Sequence, residues 1–232
     1  MDNAIITDVD KLGYRSDEVA SFKKEGNDVR QIALRLKELI KENGIVSLSA
    51  PQIGIYKRIF VIKFGDELRT FINPMIERVN GMTLAEEICS SLPGKRYIRP
   101  RHTKIVVDYM TPLGKLETRQ IVGKSAIVFQ HQIDHLDGLL LSDVGLEIDE
   151  QWDNASEDER AEVLKAYIES LDLKQKELEK DVQEDPELKE VSDAIDFMTK
   201  AKTGEIDVHT EVIQVPKEKE DNVENLDKET CE

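Results

Sequence analysis

The 232-residue sequence predicts an α+β domain: antiparallel strands around one central buried helix over residues 1–150, followed by an acidic helical C-terminal extension. Three observations carry that expectation. Apolar residues recur at helical spacing between Asn27 and Gly44. Short β-branched and aromatic runs separated by turn residues fill 58–123. A continuous apolar stretch then begins near Ser125 and stops at Gly138.

In the first helix Val29, Ile32, Ala33, Leu36, Leu39 and Ile40 fall at three- and four-residue steps with charges between them, and Gly44 is the stop signal. In SLSAPQIG (47–54) small residues, Pro51 and Gly54 forbid a continued helix, so a loop or short strand is expected. RIFVIKF at 58–64 reads as a buried strand and FINPMIERV at 71–79 as a second with a proline break. TKIVVDYM at 103–110 is a third strand, and TPLGK turns it into KLETRQIVG. The run AIVFQHQIDHLDGLLLSD is a largely buried helix ended by Gly138. Beyond Glu150 a charged helix carries Val163, Leu164, Tyr167, Ile168, Leu171 and Leu178. Asp185-Pro186 opens another with Leu188, Val191, Ile195 and Met198, so residues 151–204 are expected to form a helical hairpin. After Gly204 only EVIQV resembles a strand, and the acidic tail within 205–232 is expected to be disordered.

Charge is distributed unevenly. Residues 1–150 hold 21 Lys+Arg against 22 Asp+Glu, whereas residues 151–232 hold 11 against 26, so the net charge of −16 belongs to the C-terminal third. Such a tail repels phosphate backbones, which excludes direct nucleic-acid binding through it and leaves docking to a basic protein surface open. The acidic start lacks an apolar signal segment, and no run is long enough to span a bilayer, so a soluble intracellular protein without membrane attachment is expected. Two cysteines, Cys89 and Cys231, make a disulfide framework improbable and release Cys89 for other chemistry.

His131 and His135 are four apart on the predicted helix, so both imidazoles lie on one face, one turn apart, within reach of a shared ion. Spacing alone does not separate ligands from ordinary core residues. Cys89 could add a thiolate, and a set of two imidazoles and one thiolate leaves one tetrahedral position open, as in catalytic sites. The competing role for Cys89 is a small buried hydrophobe.

Three segments, in order, resemble the signature motifs of peptide deformylases, which remove the formyl group from the initiator methionine of nascent chains. Ile45-Val46-Ser47-Leu48-Ser49-Ala50-Pro51-Gln52-Ile53-Gly54 is similar to Gly-x-Gly-Leu-Ala-Ala-x-Gln-Ile-Gly. Glu87-Ile88-Cys89-Ser90-Ser91 is similar to Glu-Gly-Cys-Leu-Ser, and Gln130-His131-Gln132-Ile133-Asp134-His135-Leu136-Asp137-Gly138 to Gln-His-Glu-x-Asp-His-Leu-x-Gly. The resemblance covers roughly residues 3 to 145. It implies a deformylase-like core with a metal-bearing central helix, and one divalent ion held by Cys89, His131 and His135: ferrous iron in cells, with zinc, nickel or cobalt as substitutes. It further implies that Gln52 and the backbone N–H of Ser90 stabilise the oxyanion. Arg101 would pair with Glu87 to brace the ligand loop, and Arg96 would stand on the substrate side. Val46, Leu48 and Ile127 would contact the substrate, with a plain core role for Val46 and Ile127 as the competing reading.

The departures are equally informative. Gln132 occupies the place of the family's glutamate, which takes a proton from the attacking water and passes it to the leaving amine, and a neutral amide cannot accept a proton. Glu86 and Glu87 are nearby in sequence to Cys89, with Glu87 already assigned to Arg101. Ser47 and Ile88 replace glycines and add side chains where a substrate backbone would pass. Three functions stay open on these residues: a metallohydrolase of altered mechanism, an impaired pseudoenzyme that binds formylated N-termini or a protein partner, and a fold in which the ion is a staple only. The expected partner is an N-formylmethionyl peptide, at the ribosome, for a monomer in the cytoplasm, in a phage-infected host or in an organelle.

Overall fold

The computed structural model describes residues 5–182 and 213–214, which fall into two units, 5–147 with 213–214 and 148–182. In the first, α1 (Val9–Leu12) and α2 (Phe22–Asn43) precede β1 (Ser47–Ser49), a single 3-10 turn (Pro51–Ile53), β2 (Ile59–Phe64), β3 (Glu67–Ile88), β4 (Arg96–Met110) and β5 (Leu116–Val122). Then come α3 (Lys124–Asp137), α4 (Leu141–Val144) and β6 (Leu146–Ile148). The strands β1 to β5 are antiparallel neighbours in chain order, β6 pairs with β4, and β7 (Ile213–Gln214) lies parallel to β3 beside Ala85 and Glu86.

Strand β2 shows why one sheet separates two helices. Its side chains alternate between faces. Ile59 and Val61 join Val29, Leu36, Leu39 and Ile40 of α2, whereas Phe60, Ile62 and Phe64 join Ala126, Phe129 and Leu136 of α3. Both faces are covered, so the strand is apolar at five of six positions. Under α3 the aromatic rings interlock. Phe129 meets Phe60 and Phe71 edge-on at centroid distances of 4.9 and 5.1 Å, a favoured arrangement worth about 1 kcal/mol per pair beyond area burial.

The expected elements are present with different limits. Helix α2 begins five residues earlier than Asn27, and Gly44 ends it in the left-handed region, its N–H bonded to the Ile40 carbonyl. The proline break at Pro74 is a bulge in a continuous strand: the register against β4 shifts between Ile72 and Met75 and again between Ile76 and Arg78. Asn73 tolerates φ of +47° there because its side chain accepts from the Val19 N–H at 2.8 Å and donates to the Val19 carbonyl at 3.0 Å. The strand then continues to Ile88, which delivers the next residue, Cys89, to the end of the sheet.

The second unit contains α5 (Glu150–Asn154), capped by Asp149, whose side chain accepts from the Gln151 and Trp152 N–H groups, and α6 (Glu157–Val182). The partner helix expected after Asp185 and the acidic tail, with Cys231, lie outside the described residues. Within the EVIQV segment, Ile213–Gln214 form the short strand β7. Among the described residues no helix is long and apolar enough to cross a membrane.

Candidate metal centre

Helix α3 lies across the sheet with its C-terminal end fixed from several sides. Ser16 donates its N–H to the Leu136 carbonyl at 2.7 Å, Arg58 pairs with Asp137 at 2.5 Å, and Gly138 packs where any Cβ would meet the Gly13 carbonyl oxygen at 2.7 Å. His131 and His135 share one face of this anchored helix. Cys89 faces them from the turn after β3, closed by the Leu92 N–H on the Cys89 carbonyl at 2.9 Å. All three side chains are buried, and one donor atom from each lies within 4.8 Å of the others. Cys89 Sγ is 3.2 Å from His135 Nε2.

These donors fit a tetrahedral ion. Metal–sulfur and metal–nitrogen bonds of about 2.3 and 2.1 Å separate such donors by roughly 3.5 Å. The outer contacts fit as well. His131 Nδ1 donates to Glu87 Oε2 at 3.0 Å, which leaves Nε2 with its lone pair, the arrangement that orients metal-bound histidines. Glu87 is itself clamped by Arg101, Nε to Oε1 at 2.6 Å and Nη2 to Oε2 at 3.0 Å. Arg101 also reaches Asp134 at 2.7 Å, and Arg99 bonds the same carboxylate. The result is a buried ladder, Arg99–Asp134–Arg101–Glu87–His131, that ties β3, β4 and α3 together.

Electrostatics follow from that ladder. Burial alone would raise the Glu87 pKa, but the Arg101 charge and the His131 hydrogen bond outweigh it and hold the group at about 2. Burial likewise pushes the Cys89 thiol up, yet the facing imidazoles hold it well below its ordinary value, the direction that favours a metal-ready thiolate. His131 runs the other way: burial lowers its pKa, and its bonds to Cys89 and Glu87 raise it above the ordinary histidine range in the ion-free protein.

A cavity of about 50 Å³ opens beside the three donors. Gln52, Ser90, Val46 and Gln132 line it together with Cys89 and His131. Gln52 is held by Ser49, whose N–H and hydroxyl donate to Oε1 at 2.9 and 3.0 Å, while its Nε2 donates to Ser91 Oγ at 3.1 Å. Three residues expected on the substrate side lie outside this lining. Leu48 and Ile127 are fully buried in the core, because strand and helix periodicity turns them away from the cavity; Ser47 and Val128 beside them line it instead. Arg96 lies outside the lining and pairs with Glu86 at 3.1 Å across the β3–β4 ladder. Neither nearby carboxylate replaces the missing base: Glu87 is too weakly basic at about 2, and Glu86 is not in the lining. Asp134 and Arg99 were not assigned from sequence. Asp134 carries a signal there, since it stands three residues after His131 on the same helix, but the two arginines that meet it are revealed only by strand pairing.

An α+β domain with a buried Cys-His-His group beside a cavity that presents Gln52 and Ser90 defines a fold with a candidate metal centre of catalytic type. Residues 4–150 match the model of the family described as polypeptide deformylase, and the chain belongs to that family. It is 35% identical over 137 residues to the peptide deformylase of Acetivibrio thermocellus, covering 56% of this chain and 80% of the relative. It is 36% identical over 141 residues to peptide deformylase 1 of Clostridium perfringens, covering 57% and 95%. Among solved structures, the Thermotoga maritima peptide deformylase superposes with a TM-score of 0.55 at 32% identity, covering 60% of this chain and 93% of that one. The enzyme from the Vibrio parahaemolyticus bacteriophage VP16T, solved with actinonin, gives 0.54 at 31% identity, covering 59% and 98%.

Proposed function

We propose that the chain hydrolyses the N-formyl group of nascent peptides that begin with formylmethionine, using one divalent ion held by Cys89, His131 and His135. The observation that carries this reading is the convergence of those donors beside a cavity that also presents Gln52 and Ser90. A bound ion would polarise the formyl carbonyl and lower the pKa of water. Gln52 Nε2, fixed through Ser49 and Ser91, and the Ser90 backbone N–H would donate to the oxygen that gains charge. Ile45, Val46, Ile88 and Val128 supply an apolar wall suited to the methionine side chain. The family resemblance supports ferrous iron as the native ion, with zinc, nickel or cobalt able to replace it. A nascent-chain substrate would suit the cytoplasm or an organelle, and a monomer acting on chains at the ribosome is the form proposed.

Gln132 favours a second reading, a receptor that binds formylated N-termini with little turnover, because no carboxylate stands in the cavity lining at the position of the general base. Metal analysis of anaerobically purified protein, with release of formate from formyl-Met-Ala-Ser, tests both. One ion per chain, lost in Cys89→Ala, with slow formate release supports hydrolysis. One ion and tight binding of actinonin without formate release supports the receptor. Protein without bound metal in either form refutes both.

A further inference from the structure

Two of the positions at which the chain departs from the deformylase motifs are bonded to each other. Ser47 and Gln132 lie 85 residues apart, and Gln132 Nε2 donates to Ser47 Oγ at 2.9 Å across the cavity wall. The Gln132 side chain is 1% exposed, and its Oε1 is buried without a hydrogen-bond partner. A buried, unpartnered acceptor costs about 1–3 kcal/mol unless something in the cavity donates to it. The other polar groups of the lining point to what that donor is. Gln52 Nε2 and the Ser90 N–H are donors that suit a carbonyl oxygen, whereas Oε1 is an acceptor that suits an N–H. A formamide carries both on one planar group.

We propose that Ser47 is a positioning residue that holds Gln132 so that its Oε1 accepts the formamide N–H of a bound N-formyl peptide, making the pair a determinant of ligand choice. This rests on the proposed action on formylated N-termini and deepens it. The serine hydroxyl accepts the amide hydrogen, so in this arrangement Nε2 is engaged by Ser47 and Oε1 is the end of the amide left for a ligand. An anion such as formate, which offers no N–H, meets the lone pairs of Oε1 and is disfavoured.

The test compares zinc-loaded wild type, Ser47→Ala and Ser47→Thr by calorimetric binding of formyl-Met-Ala-Ser, of the same peptide methylated on the formamide nitrogen, and of formate. Wild type should prefer the unmethylated peptide. Ser47→Ala should lose roughly three- to tenfold of that preference, as removal of one positioned hydrogen bond implies, and bind formate more tightly. Ser47→Thr, which keeps the hydroxyl, should retain the preference. An unchanged preference in Ser47→Ala, with thermal unfolding matched to wild type, overturns the positioning role and leaves the deformylase reading intact. Wild type that shows no measurable binding of formyl-Met-Ala-Ser overturns both.

Discussion

Gln132→Glu is the substitution on which the chemistry of this protein turns. The side chains are nearly isosteric, so the buried position is neither emptied nor overfilled, and the Ser47 hydroxyl, now 2.9 Å from an amide nitrogen, can reverse its role and donate to the new carboxylate. Burial raises the pKa of a carboxylate placed there and a bound cation lowers it, which keeps the group in the range of a useful base. A positioned general base contributes about a hundred- to ten-thousand-fold in rate, or about 3–5 kcal/mol of barrier at about 1.4 kcal/mol per factor of ten. Formate release from formyl-Met-Ala-Ser by nickel-loaded wild type and variant, at matched metal content, should therefore differ by at least about two orders of magnitude. Stability should change by no more than about 1–2 kcal/mol, since the hydrogen bond to Ser47 is kept in altered form. Rates within about threefold of each other would refute the assignment of Gln132 to the base position and the inference of slow turnover drawn from it.

Four further outcomes follow from the buried ladder and the core. Glu87→Gln removes the negative charge and one of the two oxygens that accept from Arg101 and His131, and metal affinity measured by chelator competition should fall by roughly ten- to a hundredfold. The pKa of Glu87 is depressed from 4.5 to about 2 in the folded protein, so its stabilising contribution is fully present above pH 4.5 and is lost as pH falls toward 2. That contribution is on the order of 3 kcal/mol, and urea unfolding of Glu87→Gln should be less steeply pH-dependent than wild type across this window. Arg101→Ala leaves Glu87 buried without its guanidinium partner and should cost about 3–5 kcal/mol in chemical unfolding. Phe129→Ala empties the space between Phe60 and Phe71 and should cost a similar 3–5 kcal/mol, with loss of the near-ultraviolet dichroism of the aromatic cluster.

Much of the site is legible along the chain because its chemistry is local. The four-residue step from His131 to His135 puts two imidazoles on one helix face in any α-helix, and the cysteine within the strand-rich region completes a ligand set by residue type alone. Gln132 is equally plain, since an amide cannot do the work of a carboxylate whatever surrounds it. Elements with strong periodicity, such as the helix before Gly44, are legible for the same reason. The long β3 strand is not, because Pro74 looks like a break until a partner strand absorbs it as a bulge.

What tertiary structure decided is which side chains face the cavity and which groups answer them. Leu48 and Ser47, or Ile127 and Val128, are neighbours in sequence. The pleat of a strand and the turn of a helix send one of each pair into the core and the other to the cavity. The Arg99–Asp134–Arg101–Glu87–His131 ladder and the Ser47–Gln132 bond join residues tens of positions apart, and only strand register and helix docking bring them within hydrogen-bond range. The sequence by itself determined the reactive groups and the one that is missing. Their contacts, and so their protonation and orientation, were set by the packing of sheet against helix, because hydrogen bonds and buried charges act over a few ångströms of space and carry no trace in linear order.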